Sequence, residues 1–362
     1  MVERRGGVTE RPARVHAPAP RPAAAAEPGG RLVVMIPCLD EEQTVGRVVG
    51  RVPAAVPGVG EVVVLVIDDG STDATRERAL AAGARVVSHR ENLGLGRAFR
   101  SGTAEALRLG ADWIVNVDGD GQFDPADIPR LLEPILDGRA HMVTASRFLD
   151  PALTPRMPRI KRWGNRQVAR IVRLLTGLRF HDVSCGFRAF SREALLRMNL
   201  FGRFTYTQET FLDAVFKGMA ILEVPVEVRG TREFGRSRIA SNLFRYAARS
   251  LQIMLRAFIS YRPFSFFATL AAGFFAVGLG LLGFLLVHYL RNGAFSPHIW
   301  AGFVGGSFAF LGILTLVVAV LGDMLVRLRM SQEETLYLLK LATYRAAAGE
   351  RGVSGRGTSP GG

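Results

Sequence analysis

The run Trp113-Ile-Val-Asn-Val-Asp118-Gly-Asp120-Gly-Gln122 ends an apolar stretch in two carboxylates spaced one residue apart. In extended chain, residues i and i+2 point to the same side, so Asp118 and Asp120 can converge just beyond a buried strand. Two converging carboxylates repel unless a cation lies between them, and hard oxygen ligands suit Mg²⁺ or Mn²⁺. A divalent ion with open positions is the chemistry that a departing pyrophosphate needs. An ordinary Asp-Gly turn is the competing explanation of the same residues. Two further acidic clusters decide between them: Pro37-Cys-Leu-Asp-Glu41 and Asp68-Asp69-Gly70-Ser71-Thr72-Asp73.

The elements that position these clusters alternate. Leu32–Ile36, Val62–Ile67, Arg85–Ser88, Trp113–Val117 and His141–Ala145 read as strands. Glu41–Val52, a segment from Asp73 to Gly83, and Gly96–Leu109 read as helices. Apolar runs of this kind, separated by helices, predict a mostly parallel sheet covered on both faces. Ligands in such folds sit outside the carboxyl ends of the strands. All three acidic clusters follow strand ends, which predicts one shared site. In the second cluster one of the two acids can accept from a base N–H or a ribose hydroxyl, and Gly70 permits the turn. Ser71 or Asp73 can also cap the following helix. Asn92-Leu-Gly94 reads first as a packing turn. Glu209 reads as a first-turn acid of a helix over Gln208–Lys217.

The chain has 362 residues, a net charge of +14 and 48% hydrophobic residues. The basic excess, mostly Arg, fits an anionic partner; lipid headgroups and phosphorylated substrates satisfy it without nucleic acid. Cys38 and Cys185 have no metal-ligand spacing and read as small buried residues. Residues 1–30, rich in Ala, Pro, Arg and Gly, lack the apolar core of a secretory signal and read as a disordered basic tail.

Past residue 240 the composition changes. Residues 240–262 have Arg245, Arg249 and Arg256 interleaved with Leu and Phe, the pattern of a helix lying in a membrane interface. Phe264–Leu290 and Ile299–Gly322 contain no charged residue, and each exceeds the ~20 residues that span a bilayer. With a short linker they form a hairpin within residues 263–326. Arg256 and Arg262 before it, and Arg327, Arg329 and Lys340 after it, outweigh Arg291 in the loop. The positive-inside rule then predicts a multi-pass protein of the cell membrane with the 31–239 domain in the cytoplasm. Residues 327–362 are expected to hold a cytoplasmic helix, near Met330–Ala348, and a disordered tail. The hairpin also offers a surface for a homo-oligomer.

Taken together, these motifs resemble an inverting, family 2 glycosyltransferase of GT-A fold, and within that family the dolichol- and polyprenyl-phosphate sugar synthases. The resemblance covers about Leu32–Ile239. It rests on Ile36-Pro-Cys-Leu-Asp-Glu41, Asp68-Asp-Gly-Ser71, Asn92-Leu-Gly94, Asp118-Gly-Asp-Gly-Gln122, Ser146-Arg-Phe148, Asp182-Val-Ser-Cys-Gly-Phe-Arg188 and Arg232-Glu-Phe-Gly-Arg-Ser-Arg238. It implies a nucleotide-sugar donor, a polyprenyl-phosphate acceptor and a Mg²⁺ or Mn²⁺ cofactor. Pro37, Leu39, Glu41 and Asp68 or Asp69 would border the nucleoside. Asp118, Gly119, Asp120 and Gln122 would border the donor diphosphate, with Asp118, Asp120 and Gln122 as the metal set. Arg147, Arg188, Arg232 and Arg238 would hold the acceptor phosphate, which suits the bidentate guanidinium. Asp120, Arg147 and Asp182 would be catalytic, Asp182 as a base or as an orienting group for Arg147 or Arg188; Arg188 could equally be a structural ion-pair partner. The family often carries Tyr-Asn where this chain has Leu39-Asp40.

Other functions fit less well. A processive polysaccharide synthase usually carries more spans and a Gln-x-x-Arg-Trp motif after the catalytic acids; here Arg162-Trp163 stands elsewhere and alone. A silent membrane scaffold would not need the full set of acids and arginines. A Rossmann dehydrogenase lacks its Gly-x-Gly-x-x-Gly after the first strand.

Overall fold

The structure is a computed structural model that describes residues 29–154, 159–199, 206–229, 252, 255–256 and 258–354. The chain divides into two compact units. One holds the residues up to Leu251 together with those from Lys340 onward, and the other holds Gln252–Leu339.

The first unit is built on a seven-stranded sheet: β1 (Gly30–Cys38), β2 (Val59–Asp68), β3 (Arg85–Ser88), β4 (Trp113–Asn116), β5 (Met142–Ser146), β6 (Arg188–Ser191) and β7 (Ile221–Pro225). Their order is β3-β2-β1-β4-β6-β5-β7. β1 pairs in parallel with both β2 and β4, so the strand order reverses at β1. A crevice at such a reversal is where ligands enter open α/β sheets. Leu32, Val33, Val34, Met35 and Ile36 are all fully buried, as expected of a strand covered on both faces.

The sequence predicts five strands, and all five form. β6 and β7 are additional. β6 runs antiparallel between β4 and β5, so the sheet is mixed although mostly parallel. Short apolar–polar segments such as Arg188-Ala-Phe-Ser191 give no clear period of two.

The covering helices are α1 (Val45–Gly50), α2 (Thr75–Ala81), α3 (Leu95–Arg108), α4 (Ile128–Leu136), α5 (Arg159–Thr176), α6 (Arg192–Arg197) and α7 (Thr207–Phe216). Helices α1 and α2 are coupled at their first turns. Glu41 N donates to Thr75 Oγ1 (2.8 Å), Glu42 N to Asp73 Oδ2 (3.2 Å), and Ala74 N to Glu42 Oε2 (3.1 Å). These bonds satisfy helix-end donors with side chains from the other loop. Glu209 stands in the first turn of α7, as expected.

In the second unit, α8 (Pro263–Asn292) begins at a proline and stops at Gly293, whose φ of 67° ends the helix in the left-handed region. Helix α9 (Ile299–Ser354) starts in this unit and continues unbroken past Lys340. Both are long and apolar enough to cross a membrane, each with a mean hydropathy of 2.4 in its most apolar window. They meet at small residues. A Cβ on Gly278 would stand 2.7 Å from Ala309 N and 2.8 Å from Gly305 O. Such close backbone approach is how helices pack where burial from water supplies no drive.

The separate helix expected near Met330–Ala348 is instead the distal part of α9. Strong helix formers fill this stretch, and the Arg327–Asp323 (3.1 Å) and Arg329–Glu333 (2.8 Å) pairs support its turns. Of the interfacial helix expected over 240–262, residues 252, 255–256 and 258–261 are helical; the rest lies outside the described residues, as do the N-terminal and C-terminal tails.

Candidate active site

The three acidic clusters meet at the carboxyl ends of β1, β2 and β4, around the Cys38 side chain. Burial pushes the Cys38 thiol well up, and the charges of Glu41, Asp68, Asp118 and Asp120 push it further. Four carboxylates from three strand ends therefore act on one point. Asp68 and Asp120 are each 4% exposed, and Asp118 is half-buried.

Local bonding fixes the loops. Asp40 holds a φ of 49°, a left-handed conformation that Asp and Asn tolerate better than most residues. Its backbone N donates to Ser71 Oγ (3.0 Å), and its Oδ1 accepts from Thr72 N (2.9 Å). Thr44 Oγ1 donates to Gly119 O (2.7 Å), tying α1 to the Asp118–Asp120 turn. Asp120 Oδ1 accepts from Gln122 N (3.0 Å). Gly186 leaves space for Asp118: a Cβ there would lie 2.7 Å from Asp118 Oδ2.

The two acids of Asp68-Asp69 separate in role. Asp68 belongs to the convergent set, and its Oδ1 accepts from Ser71 N (2.9 Å). Asp69 accepts from Leu93 N (3.1 Å) and Gly94 N (2.9 Å) and pairs with His89 Nδ1 (2.7 Å). Both Asp69 oxygens thus hold the loop before α3, whereas Asp68 is braced within its own turn. Asn92 closes its own turn through Oδ1 to Gly94 N (3.0 Å), the packing role expected of it.

Arg147 follows β5 and lies against Asp182. Its Nε stands 2.6 Å from Asp182 Oδ2, its Nη2 2.9 Å from Oδ1, and its Nη2 also donates to Ser184 Oγ (2.8 Å). Asp182 is buried, which by itself would raise its pKa. The Arg147 charge and hydrogen bonds from Arg147 and Ser184 outweigh that and bring it below the ordinary value. An ionised carboxylate with both oxygens engaged orients a guanidinium; it is a poor proton acceptor.

Of the two roles left open for Arg188, acceptor contact or structural partner, its surroundings are structural, with carbonyl and hydroxyl oxygens as hydrogen-bond partners. It is 0% exposed and donates to Thr207 O (2.5 Å), Thr210 Oγ1 (2.6 Å) and Val183 O (2.8 Å). Its guanidinium braces the loop between α5 and β6 against α7. Arg232 and Arg238 lie outside the described residues. Arg229, three residues before Arg232, donates from its N to Gln122 O (3.0 Å), and Gln122 Nε2 reaches Arg229 O (3.4 Å).

Sequence reasoning missed Asn116 and Tyr206. Asn116 Nδ2 donates to Gly186 O (3.0 Å) and Tyr206 Oη (2.6 Å), and Tyr206 Oη donates to Gly186 O (3.0 Å). This buried network holds Gly186 against Asp118. The signal was a lone amide inside the apolar run before Asp118.

Asp118 and Asp120, one residue apart beyond β4, are hard oxygen donors of the kind that suit a divalent cation. Among the described residues, no three His, Cys, Asp or Glu side chains form a closed metal cage. Cys38 and Cys185 are buried free thiols, as expected, and burial first, then Asp182, pushes the Cys185 thiol up to about 12.

Residues 33–198 match the sequence profile described as Glycosyl transferase family 2. Over 255 residues the chain is 32% identical to a polyprenol monophosphomannose synthase of Mycolicibacterium smegmatis, covering 68% of this chain and 90% of that one. It is 30% identical over 222 residues to an undecaprenyl-phosphate mannosyltransferase of Micrococcus luteus, covering 59% and 89%. A glucosyl-3-phosphoglycerate synthase of Mycobacterium tuberculosis, solved with Mn²⁺ and UDP, superposes with a TM-score of 0.51 at 27% identity, covering 63% and 80%. A mostly parallel sheet with acids gathered at its β1/β4 switch point is the GT-A arrangement. The chain belongs to glycosyltransferase family 2.

Proposed function

We propose that this protein is a membrane-anchored transferase that moves a hexose, with inversion, from a nucleotide sugar to a polyprenyl phosphate. The observation that carries this reading is the convergence of Glu41, Asp68, Asp118 and Asp120 at the β1/β4 switch point. The relatives named for polyprenol and undecaprenyl phosphate, and the two helices apolar enough to cross a bilayer, support the acceptor class.

Pro37, Leu39, Glu41 and Asp68 or Asp69 border the nucleoside in this reading. Asp118 and Asp120, with Gln122 beside them, would hold a Mg²⁺ or Mn²⁺ ion, which when bound supplies charge stabilisation for the departing nucleotide diphosphate. Such a site is open by construction, since two carboxylates leave positions for diphosphate oxygens. Arg147 meets the acceptor phosphate, and Asp182 with Ser184 fixes the plane of its guanidinium. Arg232 and Arg238 add further cations. The acceptor phosphate is already an anion at neutral pH and needs little help from a base. The residues therefore act mainly by positioning and by electrostatics.

Residues 31–239 form the catalytic domain in this reading and face the cytoplasm, with the Arg291–His298 loop on the other side. The test is incubation of membranes bearing the full chain with labelled GDP-mannose, UDP-glucose and related donors plus polyprenyl phosphate, followed by lipid extraction. Label in a mild-acid-labile lipid phosphate sugar is expected. Label in a polymer, or in no lipid with any donor, would overturn the reading.

A further inference from the structure

The edge strand β7 carries a carboxylate that the transfer reaction does not use. Parallel pairing sets Thr144 of β5 against Glu223 and Ser146 against Pro225, so Glu223 runs alongside the strand that Arg147 follows. The Glu223 side chain is 7% exposed and accepts from two successive backbone amides, His181 N (2.9 Å to Oε2) and Asp182 N (2.8 Å to Oε1). The His181 ring adds a third contact, Nδ1 to Oε2 at 2.8 Å. A charge so far from water needs such partners. The Glu223 hydrogen bond, with the Glu223 charge behind it, raises the His181 pKa against the effect of burial, as expected beside an ionised carboxylate.

These bonds converge on the residue that grips Arg147. The backbone N of Asp182 is taken by Glu223, and the Asp182 carboxylate takes Arg147 Nε (2.6 Å) and Nη2 (2.9 Å). Asp182 Oδ1 also accepts from Ser184 N (3.2 Å) and Ser184 Oγ (3.1 Å). The main chain of Asp182 is thus fixed from β7, and its side chain is fixed toward Arg147. A bond from Glu223 to any part of this loop would brace the sheet edge, but these fall on Asp182 itself and on the residue before it. A displacement of about 1 Å at Asp182 would carry the guanidinium with it, and misplacement of that size can cost about a hundredfold in a reaction that depends on positioning.

We propose that Glu223 is a positioning residue for the lipid acceptor: through the backbone of Asp182 it sets the plane in which Arg147 presents its guanidinium to the acceptor phosphate. This rests on the reading of Arg147 as the acceptor contact. Glu223 itself touches no substrate in this arrangement. An anion repels a phosphate, so its influence on the acceptor runs through Asp182 and not through direct contact. Because the acceptor phosphate needs little activation, the influence falls on acceptor affinity and not on the chemical step.

The test uses the full-length protein in nanodiscs with undecaprenyl phosphate as the probe. Its Kd is measured without donor, and its KM with whichever nucleotide sugar supports transfer. Glu223→Ala removes both oxygens; Glu223→Gln keeps the side-chain length and one acceptor oxygen. Kd and KM should rise roughly tenfold in the Ala variant, about the worth of one hydrogen bond to a charged group, and less in the Gln variant. Both kcat and nucleotide-sugar binding should change little. Combined with Asp182→Asn, Glu223→Ala should raise the KM no further, because the two act through one chain of contacts. If the Ala variant fails to fold, Glu223→Gln and its combination with Asp182→Asn carry the same comparison. A lower unfolding midpoint with an unchanged acceptor Kd would make Glu223 a plain structural brace and overturn the proposal. An effect as large in the Asp182→Asn background as in the wild type would overturn it too. Asp182→Asn alone judges the acceptor reading. If it leaves Kd and KM unmoved, the reading and the proposal fall together; if it moves them and the Glu223 variants do not, the proposal alone falls.

Discussion

Arg147 and Asp182 meet in a two-pronged ion pair, Nε to Oδ2 at 2.6 Å and Nη2 to Oδ1 at 2.9 Å, with the carboxylate fully buried and the guanidinium 20% exposed. One partner is anchored and the other is presented. Asp182→Asn should lower transfer about ten- to hundredfold, mostly through a higher KM for polyprenyl phosphate, because Arg147 loses its fixed plane. Leaving Arg147 without its partner should also cost about 3–5 kcal/mol of stability. The folded Asp182 pKa lies below the ordinary 3.8. Its stabilisation is therefore complete above the unfolded value and fades as pH falls through the folded one. Thermal unfolding followed from pH 7 downward should show the wild type beginning to lose this increment as pH drops below the ordinary carboxylate range, and the Asn variant lacking it throughout. Equal KM values in both proteins would remove Asp182 from acceptor binding.

Asp120→Asn should reduce transfer by at least about a hundredfold while leaving thermal stability near wild type, since it takes a charged ligand from an open metal site. Asp118→Asn should weaken donor binding as well. Excess chelator should stop the wild type, and Mn²⁺ or Mg²⁺ should restore it. Undiminished turnover in chelator would end the metal assignment.

Arg188 and Arg232 should behave differently. Arg188→Ala strands several buried acceptors and should cost about 3–5 kcal/mol of stability. The acceptor KM of the protein that remains folded should not move. Arg232→Ala should leave stability unchanged and raise the acceptor KM roughly ten- to hundredfold, the worth of one charge-assisted phosphate contact. Nucleotide-sugar binding measured without acceptor should change little. The reverse result would place Arg232 in the donor site.

The α8–α9 contact predicts a packing defect. Gly278→Leu forces a side chain against Gly305 and Ala309 and should destabilise the hairpin by about 1–3 kcal/mol, read as a lower unfolding midpoint in detergent. The same hairpin sets the labelling pattern. Cys38 and Cys185 are buried with raised thiol pKa values, so they should stay unreactive at pH 8. Glu91→Cys and Ser296→Cys should then react with impermeant maleimide from opposite sides of sealed vesicles. Reaction of both from one side would break the two-span topology.

The strand–helix alternation up to Trp113 and the acids at the strand ends were legible because buried parallel strands leave unbroken apolar runs with polar residues at their tips. Asp68 and Asp69 could not be told apart from sequence, since adjacent residues on a turning backbone diverge only once Leu93 and Gly94 arrive to bind one of them. The sequence leaves Arg188 between a phosphate ligand and a structural residue, because its type and spacing fit both. Oxygen acceptors on α7 and on the loop before β6 made its burial possible, and their convergence is invisible in one dimension.

The bonds that join Asp40 to Ser71 and Thr72, and Glu42 to Asp73 and Ala74, have a consequence for laboratory evolution. The β1 and β2 loops, one on each side of the proposed nucleoside pocket, are cross-braced into one piece. A library that varies either loop alone will mostly sample broken braces. Nucleotide preference should shift only when both loops are varied together, as a matched pair, with Asp40 kept as Asp or Asn so that its left-handed turn survives.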